Sequence, residues 1–316
     1  MATTSFLAPE SLSRMIIRTT DSGNIPVPPA HIPSPGCLLS FIKSSTNDLR
    51  NDSRFATLGS PRRVWAVAAI HAEVERLMDL HDQLFAHVRP GDRIVYMGNY
   101  SGHGASPCET LDELLTFRRG VLAQPGMMPE DFVYLRGGQE EMWEKLQQLQ
   151  FAPNAKETLI WMLDHGLTPT LEAYGLRPQD GLNAAGEGVM AVTRWTAAVR
   201  NSIRRKPGHD IFQCQLRRAA FTDLNTETPL LFVHAGFNPA RDLQSQGDSL
   251  WWGGKNFDQL SLCYPFHKII RGFDSMHGGL HIHNHTATID GGCGFDGSLI
   301  AAVFTPDGEI NGLIEA

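Results

Sequence analysis

Side chains able to hold a metal or move a proton recur in this chain at the ends of short apolar runs. His71 follows Ala68-Ala69-Ile70. Asn99 and His103 lie in a loop after Ile94–Met97, with glycines at 98, 102 and 104. Gln139-Glu140 follows Gly137-Gly138, and His234 follows the run Pro229 to Val233. Polar groups at the carboxyl end of a strand stand where α/β sheets put their ligands. Imidazole, amide and carboxylate groups brought together from several strand ends are what metal-assisted hydrolysis requires.

A second histidine group lies apart from these. His281, His283 and His285 alternate, so an extended segment places three imidazoles on one face, a ligand set suited to zinc or nickel, with His277 a possible fourth. A polar hairpin before the run Thr286 to Ile289 explains the same pattern, and no carboxylate is suitably spaced in sequence.

The elements that must carry these residues are legible from Arg63 onward. Val64 to Ile70 reads as a buried strand, followed by a helix whose stripe is Val74, Leu77, Met78, Leu84, Phe85 and Val88. Ile94 to Met97 is the next strand, with a helix marked by Leu111, Leu114, Leu115, Val121 and Leu122. Phe132 to Leu135 and Glu140 to Leu149 form a third pair. Three strand–helix units in succession predict parallel strands covered by helices. The interval from about 150 to 225 is helical in pattern. Strands return at Pro229 to Val233, Lys268 to Ile270, Thr286 to Ile289, Leu299 to Phe304 and Ile310 to Ile314.

Residues 1–60 read as an N-terminal extension, largely disordered, and 61–316 as the folded domain. Pro26, Pro28, Pro29, Pro33 and Pro35 crowd the extension, and Cys37 to Ile42 is a short apolar piece able to dock on the body or a partner. With 316 residues, 42% hydrophobic and 19% charged, the chain has enough apolar material for a large core. A formal net charge of -7 gives no basic field, so nucleic acid is not an expected partner. Five scattered cysteines without a C-x-x-C pair argue against a disulfide framework or thiolate zinc site and for buried reduced thiols. No run has the length of a membrane span, and no signal-peptide design is present. A cytoplasmic protein is expected.

The motifs, in their order, resemble those of the calcineurin-like metallophosphoesterases, the bacterial serine/threonine phosphoprotein-phosphatase branch in particular. Ala68-Ala69-Ile70-His71-Ala72 corresponds to that family's G-D-x-H-G, and Gly91 to Gly104 to G-D-x-x-x-x-x-G-D-x-x-D-R-G. Gly137-Gly138-Gln139-Glu140 corresponds to G-N-H-E, Val233-His234-Ala235-Gly236 matches V-H-A-G, and Gly272-Phe273 stands for G-H. Trp161 to Gly175, Asp248 to Trp252 and Thr288 to Gly294 resemble further bacterial segments, so the likeness runs from Arg63 to Ile314.

The resemblance implies a sandwich of two mixed β-sheets flanked by helices, an α/β architecture. It also implies a degenerate centre. Of the metal-ligand positions, His71 and His234 keep a ligating ring, whereas Ala69, Asn99, Gly138 and Phe273 stand where aspartate, aspartate, asparagine and histidine belong. Gly102 and His103 replace the Asp-Arg pair, and Gln139 replaces the imidazole that would protonate the leaving group. The expectation is a pseudophosphatase without a cofactor, regulating by binding a protein, phosphorylated or not, or another phospho-ligand. One alternative is a divergent serine/threonine phosphatase or dinucleoside-polyphosphate hydrolase using manganese, iron or zinc. Another is a scaffold working through the N-terminal extension. Asp92 is framework on this reading, Trp251 and Trp252 are packed aromatics, and Arg204-Arg205-Lys206 is a helix C-terminal charge run.

Overall fold

The computed structural model describes residues 48–254 and 256–316. The proline-rich interval and Cys37 to Ile42 lie outside the described residues. Among the described residues, eleven strands form two sheets. The first sheet has the order β1 (Phe55–Gly59), β5 (Ala219–Thr222), β6 (Leu230–Val233), β7 (Lys268–Arg271), β9 (Thr286–Asp290) and β8 (Gly279–Ile282). The second has β11 (Ile310–Glu315), β10 (Ile300–Phe304), β2 (Arg63–Val67), β3 (Asp92–Tyr96) and β4 (Phe132–Tyr134). Both sheets are mixed: β2, β3 and β4 are parallel, β10 is antiparallel to β2, and β6, β7 and β9 are parallel within the other sheet.

Alternation of side chains across the strands builds the core. Ala220, Phe232, Ile270 and Ala287 pack between the sheets against Val67, Val95 and Ala302. Their neighbours Ala219, Phe221, Leu231, Val233 and Ile269 face the other way, onto Leu243, Leu250, Trp251 and Phe257. Helices α1 (Val74–His87) and α2 (Pro107–Leu122) cover the second sheet through Leu77, Leu80, Leu84, Leu114 and Val121. The helical middle has its own core, where Leu146, Leu159, Leu171, Val192 and Val199 are buried together.

The folded body begins earlier than the expected boundary at residue 60. Phe55 pairs with Ala219 in a parallel ladder, and Leu49 and Phe55 are buried against Phe221 and Leu231. The strand is short and sits among Ser, Thr and Asn, so its apolar signal is diluted locally while its burial is set by a distant partner. Asp92 accepts from Arg63, from Trp65 Nε1 at 3.2 Å and from Arg89 N–H at 3.0 Å, with Arg62 at 2.8 Å, the framework role expected. Of the described cysteines, Cys108 and Cys293 are buried, but Cys214 is exposed and Cys263 half-buried. No described helix is long and apolar enough to cross a membrane.

Candidate functional site

The carboxyl ends of β2, β3, β4, β6 and β7 meet where the two sheets come together. Backbone bonds lock the loops that leave them: Ala69 N–H donates to Gly272 O (3.0 Å), His71 N–H to Asn99 O (2.7 Å), and Phe273 N–H to His234 O (3.0 Å). His71, Ala72 and Asn99 hold φ of 53°, 64° and 55°, the left-handed region in which non-glycine residues are strained. This strain is distributed over the two loops that carried ligands in the resembling family.

Glu140 holds the second loop. It opens helix α3 (Gly138–Leu146), and its carboxylate accepts from the N–H groups of Asn99 (2.8 Å), Tyr100 (2.9 Å) and Gly137 (2.9 Å). Burial raises its pKa above the usual carboxylate range, against the lowering effect of those donors. The G-N-H-E-like motif places this residue, but the sequence gives no sign that it is a loop clamp.

His71 and His234 are buried. His234 Nδ1–H donates to Met97 O (2.6 Å), which leaves its Nε2 lone pair without a partner. Burial lowers the His234 pKa to about 4. His71 is also held well below the ordinary histidine value, by burial first and then by His103, His234 and His277. Both rings are therefore neutral at physiological pH.

Asn99 satisfies its amide within the protein. Its Oδ1 accepts from Gln139 N–H (3.0 Å), so its Nδ2 is the donor that faces His71 Nε2 at 3.3 Å. The lone pair of His71 is thereby engaged, and its Nδ1 is left without a partner.

Aromatic rings fill the remaining space. Phe273 lies parallel to His234 with centroids 5.2 Å apart, and Phe295 meets His71 edge-on at 5.0 Å. Phe295 also stacks on His277 at 4.1 Å, and His277 Nδ1 is 2.9 Å from the buried Asp290 carboxylate. Phe295 and His277 are site residues that motif reading missed. The signal available was Asp290 in the Thr288 to Gly294 segment, a buried acid that needs a partner.

Neighbouring side chains crowd two glycines of the site. A Cβ on Gly102 would lie 2.8 Å from Gln139 Cδ, and one on Gly138 would lie 2.8 Å from Trp252 Cζ3. Gln139 Nε2 donates to His165 O at 2.8 Å, so this side chain points along the loop as an amide linker. Ala69 is buried, and His103 stands exposed at the mouth, 4.7 Å from Phe295. Trp251 is buried and Trp252 packs on Trp161 at 5.5 Å.

A dinuclear centre needs several hard donors and a bridging carboxylate. At the positions named from the motifs, the donors are two neutral rings, one already engaged, and an amide whose oxygen is occupied, while the nearby Asp290 carboxylate is held by His277 and the Asp274 and Gly292 N–H groups. That set does not fit a pair of divalent ions. Among the described residues, one group of three His, Cys, Asp or Glu ligand atoms converges, and it lies elsewhere.

No protein-family model matches the chain, and no curated protein matches it by sequence. Comparison with solved structures is informative. A structure described as a "putative diadenosine tetraphosphatase" superimposes with a TM-score of 0.51 at 18% identity, over 83% of this chain and 96% of that one. This chain has a metallophosphoesterase fold. A protein serine/threonine phosphatase from Saccharomyces cerevisiae, with similarity to human phosphatase PP5, matches over 90% of this chain and 89% of its own, at 15% identity and a TM-score of 0.47. A metallophosphoesterase from Sphaerobacter thermophilus matches with a TM-score of 0.38 at 12% identity, over 81% of this chain and 88% of its own.

The metallophosphoesterase fold agrees with the two mixed sheets expected from the motifs. The alternating histidines lie in and beside the β8–β9 hairpin, the hairpin reading of that pattern, and not as a four-histidine face. The chain turns after His283, and His285 packs against His267, with Nδ1 3.0 Å from His267 O. His277 joins the Phe295 stack, so the four do not share one face.

Proposed function

We propose that this protein is a pseudophosphatase, a metallophosphoesterase fold that no longer hydrolyses phosphoesters and acts by binding a protein partner. The observation that carries the reading is the stacking of Phe273 on His234, ring planes 9° apart. It puts an apolar ring at the position the resembling family gives to a metal-binding imidazole.

Protein is favoured over phosphate by the charge of the cleft. His71, His234 and His103 are all held below the ordinary histidine value, chiefly by burial. Arg136 is paired with Glu141 and Glu144, and Arg271 with Asp274. The hollow beside His103 is lined by Ala105, Pro169, Ala173 and Glu172, whose charged member is an acid. Met276 and Phe295 add exposed apolar surface next to His277, as protein contacts use.

A second reading, a divergent hydrolase related in activity to serine/threonine phosphatases or dinucleoside-polyphosphate hydrolases, rests on the unpartnered His234 Nε2. Assay of an aryl phosphate and a dinucleoside tetraphosphate with Mn²⁺ separates the two. The pseudophosphatase shows no turnover above a His234→Ala control. Mn²⁺-dependent turnover that His234→Ala abolishes supports the hydrolase.

A further inference from the structure

The hairpin of β8 and β9 carries donors that the closed centre does not use. His281 and His283 are two residues apart at the edge of the first sheet, so their side chains share a face. His281 is opposite Thr288 of β9, which is opposite Arg271 of β7. The turn Phe257–Gln259 lies over this row, with Thr288 Oγ1–H donating to Asp258 Oδ1 at 3.4 Å. One ligand atom from each of Asp258, His281 and His283 lies within 4.8 Å of the other two.

We propose that Asp258, His281 and His283 form a mononuclear site for a borderline divalent cation of the zinc class. Two imidazoles and a carboxylate are a donor set that zinc accepts, with the fourth tetrahedral position left to water. Zinc bonds of this kind place ligand atoms roughly 3.3 Å apart. The site therefore closes slightly on loading, a movement open to the exposed His281 and His283 side chains.

His281 and Asp258 are already held by neighbours. His281 Nε2 lies 2.9 Å from Gly278 O, and because a carbonyl only accepts, Nε2 carries the proton and Nδ1 the lone pair. Such a backbone bond to the second ring nitrogen is the usual support of a metal-binding histidine. On Asp258, Thr288 and the Arg271 guanidinium (3.9 Å) both face Oδ1, leaving Oδ2 for the ion. Asp274, 3.3 Å from Arg271, offsets the cation that would otherwise repel the metal. A bound ion ties the Asp258 segment to the edge hairpin. His285, turned onto His267, takes no part.

The test uses tag-free full-length protein, stripped with EDTA, dialysed and titrated with Zn²⁺ by calorimetry, with Co²⁺ absorption to report tetrahedral coordination. One ion per chain is expected. Asp258→Asn and His283→Ala each weaken binding about tenfold or more, while His285→Ala leaves it unchanged. These side chains are not in the core, so the variants stay folded. Absence of saturable binding, or binding indifferent to both Asp258→Asn and His283→Ala, overturns the proposal, as does loss of binding in His285→Ala.

Discussion

Phe273 lies parallel to His234, centroids 5.2 Å apart, so packing holds the imidazole ring at the strand ends. Its neighbours follow the same logic: Gln139 occupies the space beside Gly102 and Trp252 the space beside Gly138. The centre is packed by pairs of neighbours. Reversing one member of a pair should therefore cost stability without returning a ligand.

Gly138→Asn is the direct case. The new Cβ meets Trp252 Cζ3 at 2.8 Å and Trp251 O at 3.1 Å, and overpacking of this kind costs about 1–3 kcal/mol. Urea unfolding should show a lower midpoint, with relief when Trp252 is shortened to Leu. An unchanged midpoint would mean that the indole is free to move aside.

Glu140→Ala should be more damaging than its surface area suggests. It strands the N–H groups of Asn99, Tyr100 and Gly137 in the interior, each worth about 1–3 kcal/mol when left unsatisfied, with water entry reducing the sum. A loss of about 3 kcal/mol in chemical denaturation is expected. Hydrogen exchange should accelerate first at residues 99–101.

Acid should destabilise the protein before its carboxylates titrate. His234 is neutral when folded, with a pKa near 4, and 6.5 is the value for an unperturbed ring. Between those values the unfolded chain binds the extra proton, so stability is fully present above about pH 6.5 and falls as pH drops toward the folded value. The shift corresponds to roughly 3 kcal/mol in total, of which roughly 1 kcal/mol is lost by pH 5.5. His71 acts in the same direction. Unfolding in EDTA at pH 7 and 5.5 checks this; His234→Gln, which does not titrate, should flatten the dependence, and stability rising on acidification would contradict it.

Much of the architecture was legible because its signals are local. The parallel β2, β3 and β4 came from apolar runs each followed by a helical stripe, and the strand-end loops came from glycines and motif order. β1 and β5 were not foreseen: at five and four residues they are too short to show a period of their own, and pairing decides. Departures from the resembling motifs could be read in the sequence. The packing around those positions could not, because Phe295 reaching His71 and Trp252 covering Gly138 are contacts between residues far apart in sequence. Likewise Asp258 joins His281 and His283 only through the stacking of a turn on the sheet.

The most direct test of the closed centre is Mn²⁺ electron paramagnetic resonance on the full chain carrying His283→Ala, which disables the hairpin site. A packed His–Phe cluster predicts no exchange-coupled Mn²⁺ pair at any Mn²⁺ concentration that leaves the protein folded. An exchange-coupled pair that disappears in the His234→Ala, His283→Ala double variant would contradict it.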